Sequence, residues 1–313
     1  MKKKQRPSKW MTFYISPEWD GATVETILKQ PLLISGRMIN RLTRIKGIKL
    51  NGRIPWLKKP VKVGDHLQVA IRPYEKSDLK PQPVSFEIVF EDEDIMIIDK
   101  PAGIQVHPVR PSDQYTLVHG ITYILQERGL DGVVRPVHRL DRDTSGLILI
   151  AKNAYMHQLL DRQLREKQIT RRYLAMLNRP LSDTDGTIHQ PIGKDPKHPY
   201  RRIVTPHGNL AITHYHILDQ NSKGALLSIE LETGRTHQIR AHFAHLGCPL
   251  IGDRLYGGDC SILTRQALHS AKISFTHPLS NELCTYISPL PHDLDQVCQT
   301  LQLKIPSKIN EKN

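Results

Sequence analysis

Two short stretches of this sequence gather polar and charged residues out of proportion to their length. The first is Pro136-Val137-His138-Arg139-Leu140-Asp141-Arg142-Asp143-Thr144-Ser145-Gly146, which runs straight into the apolar Leu147–Ala151. The second is Glu232-Thr233-Gly234-Arg235-Thr236-His237-Gln238-Ile239-Arg240-Ala241-His242. A carboxylate of the first and an arginine of the second can pair across a cleft. Such a pair keeps the carboxylate ionised even when it is partly desolvated, and an ionised, poorly hydrated carboxylate is a competent nucleophile. Plainer readings compete. One aspartate among arginines is most often a structural salt bridge. His237, His242 and His245 invite a metal, but their spacings of five and three do not share one helical face and no carboxylate completes a ligand set. Asp141 and Asp143 imitate a glycosidase pair, yet as near neighbours they suit separate tasks, with Asp143 holding the turn. Tyr173 reads as core. No G-x-G-x-x-G, Walker loop or H-E-x-x-H is present, so neither a nucleotide cofactor nor a zinc helix is indicated. The four cysteines, Cys248, Cys260, Cys284 and Cys298, form no C-x-x-C pair and read as reduced thiols of a cytoplasmic protein.

Regular elements must hold these stretches in place. Leu147–Ala151 reads as the strand leaving the first. In the second, Thr236 is placed to cap a helix that buries Ile239, Phe243 and Leu246 and ends at Gly247 and Pro249. Gln238, Arg240 and His242 cannot all share its core side, so some should face a cleft or solvent. Phe86–Phe90, Ile95–Asp99, Arg172–Leu177 and Ala225–Leu231 read as strands. Tyr155–Lys167 reads as a helix with Met156, Leu159, Leu160 and Leu164 on one side. Many strands and few helices without regular alternation predict a mixed α+β domain, not a doubly wound one.

The 313 residues carry 44 Lys+Arg against 31 Asp+Glu, a net +13. Residues 1–83 hold 18 of the basic and 6 of the acidic groups, leaving 26 and 25 for residues 84–313. The excess therefore sits in the first quarter, as expected of a basic attachment module joined to a near-neutral larger domain with a polyanionic partner. No apolar run approaches the roughly 20 residues of a membrane span, and the basic start has no apolar region of a secretory signal behind it. Within the module, Ala22–Leu28 suits a short helix. Ser35 then resembles an N-cap, followed by Met38, Ile39, Leu42 and Ile45 at helical spacing. Arg37, Arg41 and Arg44 fall on another face, a stripe suited to phosphates. Asn51-Gly52 signals a hairpin turn and Val63-Gly64-Asp65 another turn before a strand at His66–Ile71. Tyr74–Val84, polar with Pro81 and Pro83, reads as a linker. The boundaries that follow are a basic tail at 1–11, a small domain at 12–73, the linker at 74–84, a large domain at 85–305 and a tail at 306–313.

Residues 12–73 resemble the alpha-L RNA-binding fold of ribosomal proteins and RNA-modifying enzymes. From about Phe86 to His292 the chain resembles the RluA family of pseudouridine synthases. The resemblance rests on ordered motifs: Asp99-Lys100-Pro101-Ala102-Gly103 with Val106-His107-Pro108; His138-Arg139-Leu140-Asp141 with Thr144-Ser145-Gly146; Arg172-Tyr173-Leu174-Ala175; Gly234-Arg235-Thr236-His237-Gln238-Ile239-Arg240; Gly252-Asp253-Arg254-Leu255-Tyr256-Gly257-Gly258; and His269 with His277-Pro278. It implies a mainly antiparallel α+β catalytic domain and an isomerase that needs no cofactor and no metal. Asp141 would be the nucleophile, Arg240 its partner and Tyr173 the platform for the uracil. Arg139 would displace the target nucleotide. With His138, Arg235, Arg37, Arg41, Arg44 and Lys46 it would make up the RNA-binding set. The implied partner is structured RNA, large-subunit ribosomal RNA first and transfer RNA second. The alternative is a non-catalytic RNA-binding or ribosome-assembly factor on the same scaffold.

Overall fold

A computed structural model describes residues 8–130 and 132–306; most of the tails expected at 1–11 and 306–313 lies outside these. The small unit comprises β1 (Met11–Tyr14), α1 (Val24–Lys29), α2 (Gly36–Arg44), β2 (Ile48–Leu50) and β3 (His66–Val69), with β3 in the centre of an antiparallel sheet. Ser35 caps α2 by accepting a hydrogen bond from the Met38 amide at 3.3 Å. Met38, Ile39 and Leu42 face a core shared with Val24, Ile27, Leu67 and Val69, whereas Ile45 is outside it at 43 % exposed. Asn51 and Gly52 both take positive φ (49° and 78°), and Leu50 and Arg53 exchange backbone hydrogen bonds. The hairpin nevertheless stops there. The partner of β2 is β3 and not Arg53–Ile54, and Ile54 is exposed.

The larger unit contains β4 (Glu87–Glu91), β5 (Ile95–Lys100), α3 (Leu117–Glu127), β6 (Arg135–Pro136), β7 (Ser145–Ala151), α4 (Ala154–Arg165), β8 (Thr170–Leu177), β9 (Asp185–His189), β10 (Ile192–Lys194), β11 (Arg202–Val204), β12 (Ile212–Asn221), β13 (Gly224–Leu231), α5 (Gln238–His245), β14 (Leu268–Thr276), β15 (Leu283–Ile287) and α6 (His292–Leu301). Ten strands form one mixed sheet, ordered β4-β5-β7-β14-β8-β13-β12-β9, with β15 on β14 and β6 on β7; β10 and β11 pair separately. All its pairings are antiparallel except β7 with β14. At that parallel crossing Gly146 has φ 105°, and a Cβ there would lie 2.3 Å from the Ser270 carbonyl oxygen, so no side chain fits. Central strands are buried on both faces. Along β5 and β7, Met96, Ile98, Ile148 and Ile150 face the core that α3 covers, while Ile95, Ile97, Leu147 and Leu149 face the core that α4 covers. Two-sided burial explains the continuous apolar run at Leu147–Ala151.

The units do not hang on a loose tether. Tyr155 and Leu159 of α4 are part of the small unit's core, the Tyr155 hydroxyl donates to the Leu32 carbonyl at 2.8 Å, and the Ser35 amide donates to Gln158. Residues 74–84 form no regular element, yet Leu79 packs on the large core and Glu75 pairs with both Arg41 and Arg135. Among the described residues no helix is long and apolar enough to cross a membrane.

Candidate active site

The first polar stretch becomes the loop between β6 and β7. Its backbone is clamped from several sides. The Thr144 amide closes a turn on the Asp141 carbonyl at 3.1 Å, and Arg265 donates to the Asp143 carbonyl at 3.1 Å. Lys100, fully buried, gives its ammonium protons to the carbonyls of Pro101, Ile104 and Arg142 at 2.8–2.9 Å. Burial pushes its pKa down to about 7, against the pull of Asp143 and Asp141. These carbonyls tie the Asp141 loop to the loop after β5. Asp143 meets Arg142 at 3.1 Å.

The second stretch forms a turn and α5. Its cap is His237, at φ 57° and ψ 23°, and not Thr236; Leu246 is exposed. As expected, at least one of Gln238, Arg240 and His242 faces a cleft: Arg240 lines it. All three are nonetheless largely buried, and each polar group has partners. Gln238 bonds Thr233, Thr213 and the backbone at Arg235 and Ile212. His242 contacts the Thr213 hydroxyl and the Gln190 carbonyl, both at 2.9 Å.

Arg240 and Asp141, 99 residues apart, meet at the floor of a cleft of about 1040 Å³. Arg240 Nη1 donates to Asp141 Oδ2 at 3.0 Å, and its Nε and Nη2 make a fork to Asp253 at 2.7 and 2.8 Å. Burial works against charge on this guanidinium, but Asp253 and Asp141 outweigh it and raise its pKa above the ordinary arginine value. Asp253 is 1 % exposed; Asp141 keeps 23 % of its side chain open to the cleft. The buried aspartate thus serves the arginine and the arginine serves the accessible one. Asp253 lies in a motif quoted above, but nothing in spacing alone gave it this task.

Tyr173 lies on β8 in a small recess off the cleft floor, with Asp141, Arg139 and Arg240 in the same wall. It is 4 % exposed, and burial raises its pKa. Arg139 and Arg235 are exposed at the cleft, Arg139 reaching Thr236 at 3.5 Å and Arg235 donating to the Leu210 carbonyl at 2.9 Å. His138 is not at the surface. It is 5 % exposed, its Nε2 accepts from the Leu149 amide at 3.3 Å, and burial, helped by Arg171, pushes its pKa down to about 3. A side chain alternating inward beside Arg139 cannot reach RNA and is withdrawn from the binding set. Arg37, Arg41, Arg44 and Lys46 are all exposed on the small unit. Arg41 is partly committed to Glu75. Eight arginines against four aspartates line the cleft, so the near-neutral total of the large unit conceals a locally positive wall.

The family described as RNA pseudouridylate synthase matches residues 94–245, and that described as the RluD ribosomal pseudouridine synthase N-terminal domain matches residues 11–67. The chain is 42 % identical over 288 residues to the uncharacterized RNA pseudouridine synthase YhcT of Bacillus subtilis (strain 168), covering 91 % of this chain and 95 % of that one. It is 35 % identical over 271 residues to the ribosomal large subunit pseudouridine synthase D of Xylella fastidiosa (strain Temecula1), covering 82 % and 81 %. The human RNA pseudouridylate synthase domain containing 4 shares the fold, with a TM-score of 0.59 at 20 % identity over 70 % of this chain and 94 % of that one. The chain belongs to the RNA pseudouridine synthase family, of the RluA type with an RluD-like N-terminal domain, and is an isomerase acting on RNA.

Proposed function

We propose that this enzyme isomerises uridine in large-subunit ribosomal RNA, with Asp141 as the nucleophile and no cofactor. The observation that carries the reading is the partly accessible carboxylate of Asp141, held by Arg240 at 3.0 Å on the floor of a positive cleft. The N1–C1′ bond breaks, the base turns, C5 joins C1′, the C5 proton leaves and N1 gains one, so nothing is consumed. Arg240 orients the carboxylate and balances its charge. Tyr173 offers a buried ring beside it for the extruded base. Arg139, exposed at the cleft, is suited to fill the space the base vacates. Taking a base from its stack costs a few kcal/mol, which phosphate contacts from Arg37, Arg44 and Lys46 offset. The Xylella relative's name, and the likeness of residues 11–67 to a ribosomal synthase's N-terminal domain, support ribosomal over transfer RNA.

The test is Asp141→Asn together with site-resolved pseudouridine mapping in cells with and without the gene. The expected result is no pseudouridine from the variant, RNA binding retained, and loss of a large-subunit ribosomal site on deletion. Turnover by the variant removes the nucleophile assignment; a missing transfer-RNA site instead moves the substrate.

A further inference from the structure

His237 stands beside Asp141, and the reaction scheme above gives it no part. Its Nε2 lies 3.9 Å from Asp141 Oδ2, the same oxygen that Arg240 holds, and its Nδ1 lies 3.1 Å from the Tyr256 hydroxyl. Tyr256 is itself fixed. Its oxygen accepts the Arg202 amide at 2.9 Å, its ring sits 5.1 Å from the Arg240 guanidinium carbon, and the imidazole meets it edge-on. A phenol has one proton to give. With Arg202 already donating to the oxygen, the acceptor within hydrogen-bond distance of that proton is His237 Nδ1, and the proton is assigned there. The imidazole is then the neutral tautomer with its N–H on Nε2, the nitrogen that faces Asp141; this assignment follows from the network. Two protonation tendencies agree with it. Burial lowers the His237 pKa in spite of Asp141, and burial pushes the Tyr256 phenol up to about 12, so it stays a donor.

The backbone is a second, independent sign. His237 is a non-glycine residue in the left-handed region. That conformation costs roughly 1–2 kcal/mol for an ordinary residue and persists where surroundings over-determine it, often at functional sites. Glycine would relieve it; the chain has histidine.

We propose that His237 is a positioning residue for the nucleophile: its neutral Nε2–H, with Arg240 Nη1, fixes Oδ2 of Asp141 and leaves Oδ1 as the attacking oxygen. Among the described residues no donor is bonded to Oδ1. A neutral donor orients the carboxylate without quenching its charge, which an imidazolium would do. The 3.9 Å separation exceeds a hydrogen bond and closes when a nucleotide displaces solvent, as apo catalytic contacts commonly do. The inference rests on Asp141 being the nucleophile.

The experiment measures single-turnover pseudouridine formation at saturating RNA, RNA affinity and melting temperature for four variants. His237→Gly keeps the left-handed backbone without strain and removes the donor. Its rate should fall about 10- to 100-fold, the worth of one hydrogen bond to a charged group, with affinity unchanged and melting temperature not lowered. His237→Gln returns an N–H of similar reach and should recover most of the rate. Tyr256→Phe frees the tautomer and should lose less than His237→Gly. Asp141→Asn is the control. A fully active His237→Gly beside an inactive Asp141→Asn overturns the role of His237 and leaves the nucleophile standing. An active Asp141→Asn overturns the nucleophile first. Equal losses in the glycine and glutamine variants, with weakened RNA binding or lowered melting temperature, show a merely structural histidine and also overturn the proposal.

Discussion

The small unit and the catalytic floor handle charge in opposite ways. In the small unit the interior is wholly apolar, from Val24 to Val69, and Arg37, Arg44 and Lys46 stand in solvent. At the floor of the cleft the charge is inside. Lys100, Arg240 and Asp253 are each under a tenth exposed, and each is fully engaged by carbonyls or an opposite charge. Grip on a polyanion needs only displaced counterions and tolerates mobile side chains. A nucleophile needs fixed geometry, which packing and buried partners supply. On the proposed reading, the difference separates what each region contributes: the first sets affinity and the second sets rate.

The strongest way to break this contrast is Asp253→Ala. Removing one member of a buried pair strands a guanidinium and costs about 3–5 kcal/mol. The variant should melt well below the parent in calorimetry and form almost no pseudouridine; a folded variant of normal rate would mean Arg240 needs no buried support. Next comes acid. His138 and His269 are held neutral by burial, with pKa values pushed to about 3 and about 4. The unfolded chain binds those protons below about pH 6.5 and the folded chain does not, so stability falls as pH drops from 6.5 toward these values. At pH 5 each histidine accounts for about 2 kcal/mol. Melting temperature followed from pH 7 to 5 checks this, and His138→Gln should flatten its share. A smaller effect, confined to binding, is expected of Arg37→Ala with Arg44→Ala. The slope of log affinity against log salt should shrink by about two units, while the saturated rate holds. Smallest is Arg41→Ala. Because Arg41 is tied to Glu75, its loss should lower melting slightly and change the salt slope less than Arg37→Ala does. The reverse order would show that the Glu75 pair opens for RNA.

These contrasts also explain what could be read in advance. Periodicity found α2 and its Ser35 cap because nothing but apolar burial decides that helix. Two-sided burial made β7 legible as an unbroken apolar run. In α5 polarity does not mark the solvent side: Gln238, Arg240 and His242 are buried with partners on β12, at Gln190 and at Asp253, and Arg240 faces the cleft. His138, which the resemblance placed in the RNA-binding set, turns inward through a bond to β7 that no local pattern announces. Helices α3 and α6 went unread. Asp141, Arg240 and Tyr173 were nameable only through ordered motifs, since their meeting is set by strand order across some hundred residues. Asp253 and His237 were inside those motifs, but their tasks needed distances.

The sharing of Tyr155 and Leu159 between the two units has a practical corollary for dissection by truncation. A fragment beginning near residue 85 would bare that greasy ring and side chain and shed Leu79 from the neighbouring core, inviting self-association unrelated to nucleic acid. Halves of this chain are therefore poor stand-ins for the intact enzyme, and single-residue changes on the solvent face are the cleaner scalpel.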